Sequence, residues 1–223
     1  MPEPRAGPGS GGRRGRFITL EGGEGAGKTT LSRGLAASLA ASGLPVLRTR
    51  EPGGAPGAEA VRRLILGEAG FPGPWDPMAE AMLHFTARRE HVARTIAPAL
   101  EAGIWVVCDR FADSTLAYQG AGQGLSREMW ERLCELALGA LRPELTLVLD
   151  LPVERGMGRA LARGDANRYE LQGADFHARV RDAFLAIAAA EPERCAVLDA
   201  TRPAAEVLAQ ALVTVQGRLG VAA

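Results

Sequence analysis

Short apolar runs alternate with longer helical patterns from residue 17 to residue 219. Phe17-Ile18-Thr19-Leu20, Val46-Leu47-Arg48-Thr49, Ile104 to Cys108, Leu145 to Leu149 and Ala196-Val197-Leu198 read as five strands. Helical patterns cover Leu31 to Ala41, Val61 to Leu66, Met78 to Glu90, His91 to Ala102, Glu128 to Leu141, Val153 to Arg163, Ala174 to Ala190 and Ala204 to Leu219. Gly43 and Pro45 end the first of them. Strands separated by helices predict an α/β fold with a parallel sheet covered on both faces, and unbroken apolar strands such as Leu147-Val148-Leu149 fit burial from both sides.

Composition narrows this only at a few points. The 223 residues are enough for one α/β domain with a small appendage, and the formal charge is zero. Neither a nucleic-acid partner nor a membrane surface is expected from that balance, and no apolar run approaches the roughly 20 residues of a membrane span. Residues 1–15, rich in Gly, Pro and Arg, predict a disordered tail without the apolar core of a secretory signal. Cys108, Cys134 and Cys195 are odd in number and form no C-x-x-C pair, which fits a reducing cytoplasm and argues against a zinc site or a disulfide framework. The sharper fact is a single lysine, Lys28, among 26 basic residues.

That lysine falls in Gly22-Gly23-Glu24-Gly25-Ala26-Gly27-Lys28-Thr29, between the first strand and the first helix. The pattern is G-x-x-x-x-G-K-[ST] in the strand–loop–helix context that gives it meaning. Glycines let backbone N–H groups turn inward around phosphate oxygens, and the following helix points its positive end at the same anion. Gly22 to Thr30 are the candidate ATP-binding residues. Lys28 reaches β/γ oxygens and the Thr29 hydroxyl can ligate Mg²⁺. A GTPase N-K-x-D motif is impossible, since Lys28 is the only lysine. The expected architecture is a P-loop NTPase fold: a five-stranded parallel sheet, helices on both faces and a small lid.

Ligands of open parallel sheets lie beyond the carboxyl ends of the strands, where Arg50 and Asp109-Arg110 stand. A phosphoryl acceptor that is itself a phosphate needs guanidinium partners, and Arg110 is the first choice for it, Arg50 the second. Each also fits an ordinary ion pair. Asp109 is the candidate metal-facing carboxylate, with Asp150 a competitor that reads better as structural.

Four segments carry a family resemblance: Thr49-Arg50-Glu51-Pro52-Gly53-Gly54; Asp109-Arg110-Phe111 with Ser114-Thr115-Leu116-Ala117-Tyr118-Gln119-Gly120; Arg159 to Gly164 with Arg168-Tyr169-Glu170; and Leu198-Asp199-Ala200-Thr201. In this order, over about residues 16–215, the chain resembles the thymidylate kinases of the bacterial type. The resemblance implies transfer of the γ-phosphoryl of MgATP to dTMP in dTTP synthesis, by a homodimer in the cytoplasm. It implies a single kinase domain over 16–223 with a lid at about 155–172. Kinases for other nucleoside monophosphates, or a non-catalytic nucleotide switch, are the alternatives.

By the same resemblance, Glu24 faces the acceptor sugar's 3′-hydroxyl, Tyr118 crowds its C2′, and Thr115 and Gln119, beside Ser114, approach the pyrimidine edge. An amphipathic turn with Tyr118 in the core is the bland reading of that segment. Gly25 stands where one subgroup carries an arginine, so the catalytic positive charge is expected from Arg159 and Arg163 in the lid, with Lys28 and Arg110. An aromatic is expected to stack on the base four residues before an arginine. Counting back from Arg88 gives His84, with Phe85 adjacent, and either could stack. Leu161 stands where some relatives have a third lid arginine, and Pro52 is a candidate cis-proline.

Overall fold

The computed structural model describes residues 14–68, 70, 74–162 and 168–220. Its strands are β1 (Phe17–Gly22), β2 (Val46–Arg50), β3 (Trp105–Asp109), β4 (Leu145–Asp150) and β5 (Cys195–Asp199). They form one parallel sheet in the order β2-β3-β1-β4-β5, as the alternation of elements predicts. β1, β2, β4 and β5 run a residue or two beyond the apolar stretches that announce them. Polar residues at strand ends still pair in the ladder, as Arg50 with Asp109 and Asp150 with Asp199 do.

The helices are α1 (Lys28–Ala41), α2 (Pro56–Ile65), α3 (Pro77–His91), α4 (Ala97–Glu101), α5 (Ala112–Thr115), α6 (Arg127–Leu138), α7 (Val153–Leu161), α8 (Ala174–Ala190) and α9 (Ala204–Leu219). α2 begins earlier than its apolar pattern, at Pro56, because a first-turn proline forfeits no helical hydrogen bond. α3 starts at Pro77, and the Asp76 carboxylate caps it by accepting from the amides of Met78 and Ala79. The stretch expected as one helix from His91 to Ala102 is π-helical over Val92–Ile96 before α4. A second π-helical stretch, Leu116–Gly122, continues α5 and carries Tyr118 and Gln119. α6 stops at Leu138, short of Leu141, where Gly139 turns out of the helix with φ 57°.

Strand alternation sends side chains to two cores. On one face Ile18, Leu20, Val107, Leu145, Leu147 and Leu149 pack against Leu31, Leu35 and Leu39 of α1 and Val207, Ala211 and Val215 of α9. Those α1 leucines recur every fourth residue, one stripe of the helix. On the other face Phe17, Val106 and Cys108 meet Phe85 of α3 and Cys134 and Leu138 of α6, while Val148 meets Val180, Phe184 and Ile187 of α8. Thr19 and Thr146, fully buried on adjacent strands, satisfy each other by a hydroxyl–hydroxyl hydrogen bond of 2.8 Å.

The chain leaves β1 toward β2 but leaves β3 toward β4, so β1 and β3 are neighbours whose exits diverge. That is a topological switch point, the place where such sheets bind ligands. A cleft of about 960 Å³ opens there, lined by Lys28, Thr29, Asp109, Arg110 and Tyr118 among others. No helix among the described residues is long and apolar enough to cross a membrane.

Candidate active site

The loop between β1 and α1 bends through three glycines of positive φ: Gly22 at 136°, Gly25 at 67° and Gly27 at 95°. α1 then presents its N-terminal amides with no acidic residue in the first turn, which leaves its positive end free for an anion. Glu24 to Thr30 all line the cleft, whereas Gly22 and Gly23 offer backbone carbonyls to the lysine behind it. The buried Lys28 Nζ donates to Gly22 O at 3.1 Å and Gly23 O at 2.7 Å. Burial, and then the Arg110 charge, bring its ammonium down to about 8 against the pull of Glu24, Asp109 and Glu21. The Thr29 hydroxyl donates to Asp109 Oδ2 at 2.7 Å, so the two candidate metal-binding residues stand side by side. Adjacent strands bring them together, for Leu20 of β1 is in register with Asp109 of β3.

Arg110 has φ 72°, the one positive φ of a non-glycine residue among those described. Such a backbone costs on the order of 1 kcal/mol or more. Its amide donates to Leu20 O at 2.9 Å, and the turn swings the guanidinium back over the phosphate loop. There it donates to Gly22 O at 3.0 Å, Ser114 Oγ at 3.1 Å, Glu24 Oε1 at 2.9 Å and the Tyr118 hydroxyl at 2.9 Å. The Tyr118 hydroxyl in turn donates to Glu24 Oε1 at 2.8 Å, and the guanidinium stacks 4.9 Å from the Tyr118 ring centre. Burial alone would raise the Glu24 carboxyl. The charges of Arg110 and Lys28 and the Tyr118 hydrogen bond outweigh it and bring the group down to about 2. Behind them Glu21 accepts from the Phe111 amide at 2.7 Å and from Ser114 Oγ at 2.6 Å, while burial and the Asp113 charge push its carboxyl up to about 7.

A second cluster closes the far end of the cleft. Arg88, 2% exposed, donates through Nε to Glu51 Oε2 at 2.6 Å, through Nη1 to Thr115 Oγ1 at 3.2 Å and through Nη2 to Phe111 O at 3.1 Å. His91 Nδ1 lies 3.1 Å from the other Glu51 oxygen, and the Glu51–Pro52 peptide is cis. Of the two candidates for base stacking, His84 lines the cleft. Phe85 turns into the core with Phe17 and Val106, its ring under the Arg88 guanidinium at 4.7 Å, and does not reach the cleft wall. One helical residue is a rotation of about 100°, which separates the two side chains completely. Gln119 Nε2 donates to Glu80 Oε1 at 2.7 Å.

Arg50 is exposed at the rim, 3.1 Å from Glu59 Oε2. Arg159 on α7 is exposed and lines the cleft. Arg163 lies outside the described residues. Arg168 is drawn instead to the buried Glu80 as an ion pair. Asp150 faces Arg181 through two hydrogen bonds of 2.6 and 3.0 Å and is absent from the cleft lining. Sequence reasoning missed Glu21, Glu51, Glu80 and Tyr169 as site-building groups, and Arg202 and Pro203 as part of the cleft wall. The only signal for the last two is their place just beyond the carboxyl end of β5.

This arrangement can hold two anionic phosphates end to end and neutralise both. The family model described as thymidylate kinase matches residues 20–211. Thymidylate kinase of Caulobacter vibrioides is 50% identical over 207 residues, covering 93% of this chain and 99% of the relative. That of Pseudomonas fluorescens is 53% identical over 195 residues, 86% of this chain and 91% of the relative. The solved thymidylate kinase of Ehrlichia chaffeensis superimposes with a TM-score of 0.75 at 32% identity, covering 91% of this chain and 100% of that one. Likeness of sequence over nearly whole lengths and likeness of fold agree: the chain belongs to the thymidylate kinase family and is a nucleoside monophosphate kinase.

Proposed function

We propose that the protein transfers the γ-phosphoryl group of ATP to the 5′-phosphate of dTMP, giving ADP and dTDP. The observation that carries this reading is Arg110, pinned between Gly22, Ser114, Glu24 and Tyr118 at the mouth of the phosphate loop. A guanidinium fixed there meets an acceptor phosphate beside the donor's terminal phosphate.

The acceptor phosphate is already ionised near neutral pH, so no general base is needed. Catalysis is positioning and charge neutralisation. Lys28 exchanges the carbonyls of Gly22 and Gly23 for β/γ oxygens. Arg110 holds the acceptor, with Arg50 at the rim and Glu24 toward the sugar 3′-hydroxyl. Tyr118 crowds C2′ and disfavours a ribose. Arg159 and Arg163 supply the charge that Gly25 cannot, in a lid of about 155–172 on a single domain over 16–223. His84 is the wall against which the base stacks, with Arg88, Thr115 and Gln119 at its edge.

Thr29 and Asp109 fit Mg²⁺, since both offer hard oxygen donors and already share a hydrogen bond of 2.7 Å. When bound, the ion neutralises charge on the donor's β and γ oxygens. Among the described residues no cluster of three or more His, Cys, Asp or Glu is placed as a cage. A nucleotide-borne Mg²⁺ takes only one or two protein ligands.

The partners are ATP, dTMP and a second copy of the chain, in the cytoplasm. A surface groove of Val61, Met82 and Leu133, edged by Leu136 at 83% exposure and by Arg89 and Glu90, supports the homodimer.

A coupled assay of ADP formation with dTMP, dUMP, dCMP, UMP and AMP tests the reading. The expected result is a kcat/KM for dTMP well above the rest. Equal rates with AMP or UMP, or ATP turnover indifferent to any acceptor, overturn it.

A further inference from the structure

We propose that Tyr169 is a specificity-determining positioning residue, whose hydroxyl fixes His84 as the Nε2-protonated imidazole and joins the base wall to the Glu80–Arg168 ion pair. The proposal rests on the reading of His84 as the surface that meets the base.

Proton accounting around the hydroxyl carries it. Tyr169 OH lies 2.7 Å from Glu80 Oε1, 2.9 Å from His84 Nε2 and 3.1 Å from Arg168 Nη2, with Gln119 Nε2 at 3.5 Å. A phenol has one proton to give and two lone pairs. The Glu80 carboxylate only accepts, so the proton goes there. Arg168 only donates, which takes one lone pair. With the proton committed to Glu80, His84 Nε2 at 2.9 Å can meet the hydroxyl oxygen only as a donor, Nε2–H, and His84 Nδ1 is left as an acceptor. The tautomer of His84 thus follows from the carboxylate that takes the hydroxyl's proton.

The ring's charge state agrees with this geometry. Burial, and then the positive charges of Arg88, Arg168 and Arg110, bring the His84 imidazole down to about 3. A neutral, flat imidazole can take the place of an aromatic ring against a base, which an imidazolium among guanidiniums could not. Glu80 is the hub of the cluster. Its Oε1 also accepts from Gln119 Nε2 at 2.7 Å and Gln123 Nε2 at 3.1 Å, so Tyr169 and Gln119 are oriented by the same carboxylate. The Tyr169 ring stands edge-on to Tyr118, with centres 5.5 Å apart and an interplanar angle of 83°. Tyr169 thus touches the base wall through His84 and the sugar side through Tyr118.

Tyr169→Phe removes the hydroxyl and keeps the ring that packs on Tyr118. Three readouts test it on the full-length enzyme. Nitrogen NMR of ¹⁵N-labelled histidine should show His84 as a single Nε2–H tautomer, and a mixture in Tyr169→Phe. The KM for dTMP should rise about tenfold, with kcat and the KM for ATP changed by less than about twofold. In a His84→Phe background, which has no imidazole to orient, Tyr169→Phe should move the KM for dTMP by less than about twofold. An unchanged His84 tautomer, or an equal effect of Tyr169→Phe in both backgrounds, overturns the assignment. If His84→Ala raises the KM for dTMP while Tyr169→Phe is silent, only the role of Tyr169 falls. If His84→Ala leaves that KM unchanged, the base-wall reading falls and the specificity role of Tyr169 falls with it.

Discussion

A Cβ on Gly25 would lie 2.0 Å from the carbonyl oxygen of Gly156, and a Cβ on Gly156 would lie 2.4 Å from the carbonyl oxygen of Glu24. The first turns of α7 rest on the phosphate loop with no room for a side chain between them. Gly25 also has φ 67°, a conformation that disfavours any Cβ. An arginine at position 25 therefore has no place in this arrangement, and charge for the transferring group has to come from elsewhere. Gly156→Ala should push α7 off the loop and lower kcat/KM for ATP by an order of magnitude or more. Gly158→Ala, two residues along α7 with open space around it, is the control. It should leave turnover intact and stabilise the helix by about 0.5–1 kcal/mol. Equal kinetics in the two variants would refute the close approach.

Lys28→Ala should abolish transfer, with a loss in kcat of at least about 100-fold. Near-normal turnover at saturating MgATP would remove the basis for a phosphate-loop mechanism. The same residue gives a stability signature. Its folded value of about 8 lies below the ordinary 10.5, so between those values the unfolded chain binds the extra proton. Stability from this group therefore rises as pH climbs from 8 to 10.5. Chemical denaturation of the wild type and Lys28→Met across that window should show the wild type gaining up to about 3 kcal/mol relative to the variant. A constant difference would mean that Lys28 is not held against its charge.

Arg110→Ala should raise the KM for dTMP, because Arg110 holds the acceptor in the ground state and the transition state alike. Arg159→Ala and Arg163→Ala should instead lower kcat, by about tenfold or more, and leave that KM nearly unchanged. Arg163→Lys should restore only part of the rate, since a point charge does not reproduce the planar fork. Steady-state kinetics on the variants side by side decide this. A lid variant with wild-type kcat marks its arginine as a solvated charge.

Tyr118→Ala should relax discrimination against ribonucleotides. The ring is 5% exposed and anchored at its hydroxyl by Glu24 and Arg110. Tyr118→Phe should loosen those anchors yet keep most of the discrimination, because crowding is a matter of the ring. The ratio of kcat/KM for dTMP over its ribo analogue is the measurement, and an unchanged ratio in Tyr118→Ala would reduce the side chain to packing.

Arg88→Met should cost about 3–5 kcal/mol of stability besides weakening dTMP binding, because it leaves the Glu51 carboxylate buried beside His91 without its guanidinium. Arg88→Met with Glu51→Gln should recover much of that loss. Urea unfolding of the single and double variants separates the two roles. A single variant as stable as wild type would show that the pair does not support the fold.

Local signals were enough for the sheet, the phosphate loop and the helix behind it. Strand and loop chemistry are set by neighbouring residues, and the glycines at 22, 25 and 27 announce a turn through their own backbone freedom. Thr29 and Asp109 were each legible for the same reason, one by its motif and one by its place at a strand's carboxyl end. Their contact follows from β1 and β3 being adjacent, which the order of strands in the sheet decides.

The base end was not legible in that way. His84 and Phe85 are neighbours in an amphipathic helix, and no period tells which of two adjacent stripes faces a cleft and which a core. Only the packing of α3 against α6 and the sheet sends Phe85 inward and leaves His84 at the wall. The sequence alone determined the fold class, the nucleotide loop and the family, because those rest on local backbone chemistry and short spacings. The tertiary structure decided that His84, Glu80 and Tyr169 share one hydroxyl and that Arg88 neutralises Glu51, because those contacts join distant segments and form only when helices dock.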